Sequence, residues 1–311
     1  MKNNITFFGA SITQQSKGYV PNFATLNPQF NINVFGFGSM HLKDAGICHI
    51  DLVLNSDPEY CFIDWFSTAY IDEAKDNIDE ITLYIDTIIH KFYSKGVKII
   101  FLTLPETSTD KTEIHNKINS YLDLKRIPKI DISKSFESNI EEIIGDGIHT
   151  TTYGATQYAK IISEKFFEEI YDKYEIPLIY PEKTKYSDIK QLSLNKLVSK
   201  KITFKGNAEV IGISQYIGPY TGMLRINDEL FNNWDRWCYY EREMVNLRFD
   251  INEETIIEVL QDNVDTSSCK YDCDWEVEKD LKLMTIFYTG DIKEIIIDNS
   301  CREVHDKHLI D

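Results

Sequence analysis

Over the first 173 residues of this 311-residue chain, short apolar runs alternate with longer amphipathic stretches, and that alternation limits the fold more than any other feature. Ile5-Phe8, Ile32-Phe35, Tyr60-Ile63, Val97-Leu102 and Ile130-Ile132 each read as a buried strand with few polar interruptions. Helix-length segments lie between them, most clearly at 72–93 and 109–124. The segment 151–174 closes the series with Ile161, Ile162, Phe166, Phe167 and Ile170 at helical spacing. Strands and helices in alternation build a parallel sheet covered by helices on both faces. The first expectation is therefore an α/β domain of five strands over residues 1–175.

The pattern changes near Pro177 and Pro181, where a charged, Lys-rich stretch reads as a connector over 176–200. From Lys201 the helical period fades. Lys201-Phe204, Val210-Ile213, Met223-Ile226, Val245-Phe249, Thr255-Leu260, Leu283-Tyr288 and Ile292-Ile297 read as strands, several of them separated by Gly, Asn or Asp. Residues 201–311 are thus expected to form a smaller, mostly antiparallel β domain, a sandwich.

Charge removes several functions. Fifty acidic against 33 basic residues leave a net charge of −17, the opposite of the basic surface that phosphate backbones require, so no nucleic-acid partner is expected. No apolar run reaches the length of a membrane span. Met1 to Phe8 is too short for a secretory core, which places the expected site of action in the cytoplasm, with the six cysteines as free thiols. Cys269 and Cys273, beside Asp272 and Asp274, match no common zinc spacing, so no metal is expected.

In a parallel sheet, ligands bind beyond the carboxyl ends of the strands, where strand order reverses. Directly after the first strand stands Phe8-Gly9-Ala10-Ser11-Ile12, in which a small residue allows a sharp turn and Ser11 is presented at the start of a helix. By itself such a serine equally caps a helix. Before the last helix of the same domain stands Gly145-Asp146-Gly147-Ile148-His149, and a serine hydroxyl becomes a nucleophile when a histidine, held by a carboxylate, takes its proton. The combination of the two blocks carries more than either alone.

With these blocks the chain resembles the SGNH (GDSL) hydrolases, serine esterases and acyltransferases on a flavodoxin-like three-layer fold. Gly9-Ala10-Ser11-Ile12 stands at the Gly-Asp-Ser block and Asp146-Gly147-Ile148-His149 at the Asp-x-x-His block, over roughly residues 3–172. The resemblance implies Ser11 as nucleophile, His149 as base and then acid, and Asp146 as the residue that orients the imidazole. It also implies an oxyanion hole built from the backbone N–H groups of Ser11 and of a glycine after the second strand. Gly38 matches best there, and a one-residue shift would select Ser39; His41, close by, is a second histidine to weigh as base.

The third block departs from the family pattern. Ile63-Asp64-Trp65-Phe66-Ser67-Thr68 contains no asparagine, and losing one oxyanion donor typically costs about two to three orders of magnitude in rate. Ser39, Trp65 and Ser67 are the candidate replacements, while Asp64 suits an organising acceptor. In the second domain, Arg225, Trp234, Arg236, Trp237 and Arg242 are candidate glycan contacts, since aromatic faces stack on sugars and arginines pair with anions; a β-domain core is the competing role. The expected function is acyl-enzyme chemistry, foremost O-acetyl transfer to a sugar of a bacterial surface glycan. Carbohydrate or small-ester hydrolysis is the alternative, and a silent glycan-binding protein the third reading. No permanently bound cofactor is expected, an acyl donor such as acetyl-CoA entering as substrate.

Overall fold

The computed structural model describes residues 4–66, 78–105, 112–133, 135–136, 139–234, 237–261, 269–271, 276–298 and 307–309. It divides into two compact units, 1–187 and 188–311.

The first unit is a five-stranded parallel sheet in the order β2-β1-β3-β4-β5: β1 Asn4–Gly9, β2 Asn31–Gly36, β3 Tyr60–Asp64, β4 Lys98–Thr103 and β5 Lys129–Asp131. All five coincide with the apolar runs of the sequence. β3 is buried along its whole length, as a sheet covered on both faces requires. Alternate side chains of β1 serve opposite faces. Phe7 stacks on Phe62 at 4.7 Å and meets Phe23 of α2 (Tyr19–Leu26) edge-on, whereas Phe8 meets Trp65 edge-on. Burying each such ring contributes about 1.5–3 kcal/mol. The one-turn helix α1 (Ser11–Gln14) follows β1, and α3 (Ile50–Leu54) precedes β3. Helix α4 (Ile78–Tyr93) turns Ile81, Ile85, Ile88, Ile89 and Phe92 inward, α5 (Thr112–Leu124) precedes β5, and the short α6 (Ile140–Ile143) leads to α7 (Thr152–Lys165). Thr151 caps α7 by accepting from the Gly154 N–H at 3.0 Å.

The stretch read as a connector splits between the units. Residues up to 187 pack on the first: the Tyr186 ring is buried 5.1 Å from that of Tyr84, and Pro181 O bonds His90 Nδ1 at 3.1 Å. Residues 190–199 are a strand of the second unit, β6 (Lys190–Ser199). That unit is antiparallel, as expected, and forms one continuous eight-stranded sheet. Its axis is two long strands, β7 (Lys201–Ile217) and β12 (Leu281–Asp298), paired with each other through three register shifts. Around them lie β8 (Met223–Ile226), β9 (Glu229–Asn232), β10 (Arg242–Asn246), β11 (Phe249–Val259) and β13 (Lys307–Leu309). β11 takes the first part of β7 and β10 the last, while β6 takes the first part of β12 and β13 the last. Each bulge adds local twist and bends the ladder, so one sheet wraps a core that includes Phe204, Val210, Leu224, Ile257, Leu283 and Ile295. The two layers expected of a sandwich are thus joined by their shared strands.

Candidate active site

Ser11 leaves the carboxyl end of β1 at the point where strand order reverses, since β1 is flanked by β2 on one side and β3 on the other. Gly9 makes this exit possible by allowing close approach. A methyl group on it would lie 2.2 Å from the Asp64 carbonyl oxygen and 2.4 Å from Thr13 Oγ1. That carbonyl accepts the Ala10 N–H at 3.1 Å and holds the chain just before Ser11. The Asp64 carboxylate, fully buried, accepts from Thr13 Oγ1 at 2.8 Å and from the Tyr19 hydroxyl at 3.3 Å. It acts as an organising acceptor beneath α1.

The structure brings Ser11, His149 and Asp146 into one hydrogen-bonded chain. Ser11 Oγ lies 2.9 Å from His149 Nε2, and His149 Nδ1 lies 2.9 Å from Asp146 Oδ2. The other Asp146 oxygen accepts the backbone N–H of His149 at 2.8 Å and of Ile148 at 3.3 Å. Asp146 therefore closes its own loop and faces the imidazole at the same time. No histidine besides His149, His41 included, hydrogen-bonds Ser11 among the described residues. Partial burial pushes the Asp146 carboxyl upward, but hydrogen bonds from the His149 ring and backbone outweigh this and hold it below the usual carboxylate range. The sign of the pH effect follows. A depressed value adds stability above the ordinary carboxyl pKa, and that stability is lost as pH falls through the lowered one. The melting-temperature gap between wild type and Asp146→Asn is expected at neutral pH and should close in that acid range; a gap of constant size would contradict the assigned bonds. It will be small, because the Asp146 side chain is 63% exposed.

The Gly38 amide lies beside the nucleophile: a methyl group on Gly38 would stand 3.9 Å from Ser11 Cβ. Its N–H donates to Gln14 Oε1 at 2.8 Å. A neutral carbonyl oxygen thus occupies the donor that the sequence nominates for an oxyanion, and an acyl oxygen bound there has to displace it. Sequence reasoning did not single out Gln14; its place three residues after Ser11, on the same helical face, was the available signal. The other nominated donors fall elsewhere. Trp65 is fully buried between Phe8 and Phe37, and its indole nitrogen has no hydrogen-bond partner among the described residues. Ser39 is exposed in a left-handed conformation, φ 60°, and Ser67 lies outside the described residues.

In the second unit the nominated contacts separate. Trp234 is buried with Ile217 and Cys238, and Arg225 is paired with Glu258 across two strands at 2.6 Å. Arg236 lies outside the described residues. Trp237 and Arg242 belong to an aromatic patch with Tyr239, Tyr240 and Tyr271. Tyr239 meets Tyr240 at 5.0 Å and Tyr271 at 4.8 Å, Lys270 stands over Trp237, and Arg242 over Tyr240. Tyr240 and Tyr271 are about half exposed. Tyr271 escapes a reading by segments because it joins the patch from a distant part of the chain. Among the described residues no group of three His, Cys, Asp or Glu side chains is placed to hold a metal; Asp272, Cys273 and Asp274 lie outside them.

No protein-family model and no curated protein matches the sequence. Solved structures do. A two-domain esterase active on acetylated mannans, crystallised with mannopentaose, aligns over 93% of this chain and 91% of its own with a TM-score of 0.63 and 13% identity. An acetyl xylan esterase, AlAXEase, aligns over 52% of this chain and 98% of its own with a TM-score of 0.46 and 19% identity. A G-D-S-L lipolytic protein of Desulfitobacterium hafniense DCB-2 aligns over 52% and 98% with a TM-score of 0.47 and 16% identity. The first of these, at its identity, establishes the fold: a parallel α/β unit followed by an antiparallel β unit.

Proposed function

We propose that this chain is a serine-dependent enzyme of SGNH type acting on acyl esters, with acetylated carbohydrate as its substrate class. The observation that carries the reading is the unbroken hydrogen-bonded sequence Ser11–His149–Asp146 at the switch point of the sheet. Ser11 Oγ adds to the acyl carbonyl carbon while its proton passes to His149 Nε2, and Asp146 stabilises the imidazolium that forms. The carbonyl oxygen, now negative, takes the Gly38 N–H from Gln14 and adds the Ser11 N–H. Collapse breaks the ester C–O bond, and His149 returns the proton to the departing alcohol. An acceptor then gives its proton to His149 as it adds to the acyl carbon, and the Ser11 C–O bond breaks as His149 passes that proton back to Ser11 Oγ.

Water is the acceptor we favour. His149 is 38% exposed and Asp146 more so, whereas transfer to a sugar requires water to be kept from the acyl-enzyme. The likeness to a two-domain esterase active on acetylated mannans supports a carbohydrate acetyl ester. The patch of Trp237, Tyr239, Tyr240 and Tyr271, about half exposed at Tyr240 and Tyr271, supports a glycan contact on the second unit. Transfer to a glycan hydroxyl is the second reading, favoured by that same patch as an acceptor platform. Among the described residues, no helix is long and apolar enough to cross a membrane.

The test is incubation with an activated aryl acetate, alone and with mannan or xylan oligosaccharides. The expected result is a burst of phenol, an acetyl group on the peptide containing Ser11, and free acetate with or without sugar. Acetylated oligosaccharide in place of acetate would select transfer. Absence of acetyl from the Ser11 peptide under every condition would remove the acyl-enzyme reading.

A further inference from the structure

We propose that Gln15 is the positioning residue that sets His149 against Ser11; the inference rests on the Ser11–His149 chemistry above and adds how the two halves of that site are held in register. Gln15 directly follows α1, and its carboxamide meets Thr150, the neighbour of His149, through two reciprocal hydrogen bonds. Nε2 donates to the Thr150 carbonyl oxygen at 2.8 Å, and Thr150 Oγ1 donates to Oε1 at 3.0 Å. Each end of the amide has a partner of the complementary kind, so its orientation is fixed. Thr150 is 5% exposed, so its hydroxyl and carbonyl are costly to leave unpaired, and Gln15 meets both.

Both sides of this clamp are firm. The Gln15 carbonyl accepts the Gly18 N–H at 2.8 Å, which fixes the backbone that carries the carboxamide. Across the site, the His149 loop is closed on itself. Gly145 donates to the His149 carbonyl at 2.8 Å, Thr151 donates to that of Ile143 at 2.9 Å, and Ile144 bridges Thr150. Such a loop moves as a unit, with the Asp146–His149 pair inside it. Asp146 therefore sets how the imidazole is turned within the loop but not where the loop stands relative to α1. The Ser11–His149 bond is a poor locator, because it is broken and remade whenever the proton passes. Gln15, which takes no part in the bond changes, holds the distance while they occur.

The test uses Gln15→Leu, which removes both bonds at similar volume, and Thr150→Val, which removes only the hydroxyl. Misplacing a reacting group by about 1 Å can cost about 100-fold. Gln15→Leu is expected to lower kcat about tenfold or more with KM unchanged, and Thr150→Val to lower it less in the same direction. Both are then combined with His149→Ala. If Gln15 acts through the imidazole, its replacement changes nothing further in that background. An unchanged kcat in Gln15→Leu and Thr150→Val, a rise in KM alone, or an equal further loss in the His149→Ala background would overturn the proposal. Should His149→Ala itself keep full activity, the underlying assignment of the base fails instead, so the two failures are distinguishable.

Discussion

Replacing Ser11 by alanine is expected to remove acetyl-ester turnover and covalent acetyl capture together, while the melting temperature stays within a degree or two of wild type. Among the described residues Ser11 Oγ hydrogen-bonds His149 Nε2 and no backbone group, so its removal leaves the fold intact. The chemistry has no substitute. Loss of the nucleophile from a serine triad costs about 10⁶-fold in kcat in a comparable enzyme, and the remainder comes from binding and oxyanion donors alone. Steady-state hydrolysis of an aryl acetate measures the first effect, and peptide mass mapping after a short incubation measures the second. A Ser11→Ala protein that still captures acetyl would move the nucleophile to another residue.

Gly9→Ala should act by a different route, through geometry. The added methyl meets the Asp64 carbonyl at 2.2 Å, and that atom belongs to the backbone of β3 and cannot swing away. β1 and β3 have to part at their carboxyl ends, where the Ala10 N–H bond to the same carbonyl is lost. Overpacking of this kind costs about 1–3 kcal/mol. Displacing Ser11 by about 1 Å from its partner would lower kcat by about 100-fold. Thermal unfolding and kcat should fall together. A variant with wild-type kcat would mean that the strand ends are more pliant than their packing indicates.

The glycine also marks where sequence reasoning stopped. It was read as a hinge for a sharp turn, yet its role is to let β3 approach, and that contact depends on a strand about 50 residues away. The five apolar runs of the first unit located its strands well, because central parallel strands are buried on both faces and so carry an uninterrupted apolar signal. Ser11, Asp146 and His149 are legible because their identities and loop positions are themselves the signal; Gln14 and Gln15 are not, since a carboxamide is ambiguous until its partners are known. In the second unit, glycine was read as punctuation between strands. Gly206 (φ 150°) and Gly290 (φ 89°) instead sit within β7 and β12 beside their register shifts, so that each long strand was split into two short ones. The composition of β6, dominated by Lys190, Gln191, Asn195 and Lys196, predicts a connector rather than a strand. Among the described strands β6 pairs with β12 and no other, and an edge strand carries such polar residues, with Leu192, Leu194 and Leu197 only partly buried against the core.

The hydrogen bonds that assemble the site join residues very far apart along the chain: 138 positions separate Ser11 from His149, and 135 separate Gln15 from Thr150. Strands β2 to β5 all lie in the intervening sequence. The site is therefore a long loop closure, comparable with those that bring Tyr19 to Tyr158 and Phe23 to Phe166, and such closures are slow relative to local ones. A chain that has collapsed but not yet docked the loop ahead of α7 carries Ser11 without its base, and it is chemically inert. Competence thus waits on that docking, and the appearance of activity during refolding should time the arrival of the His149 loop at α1 rather than the formation of the strands between them.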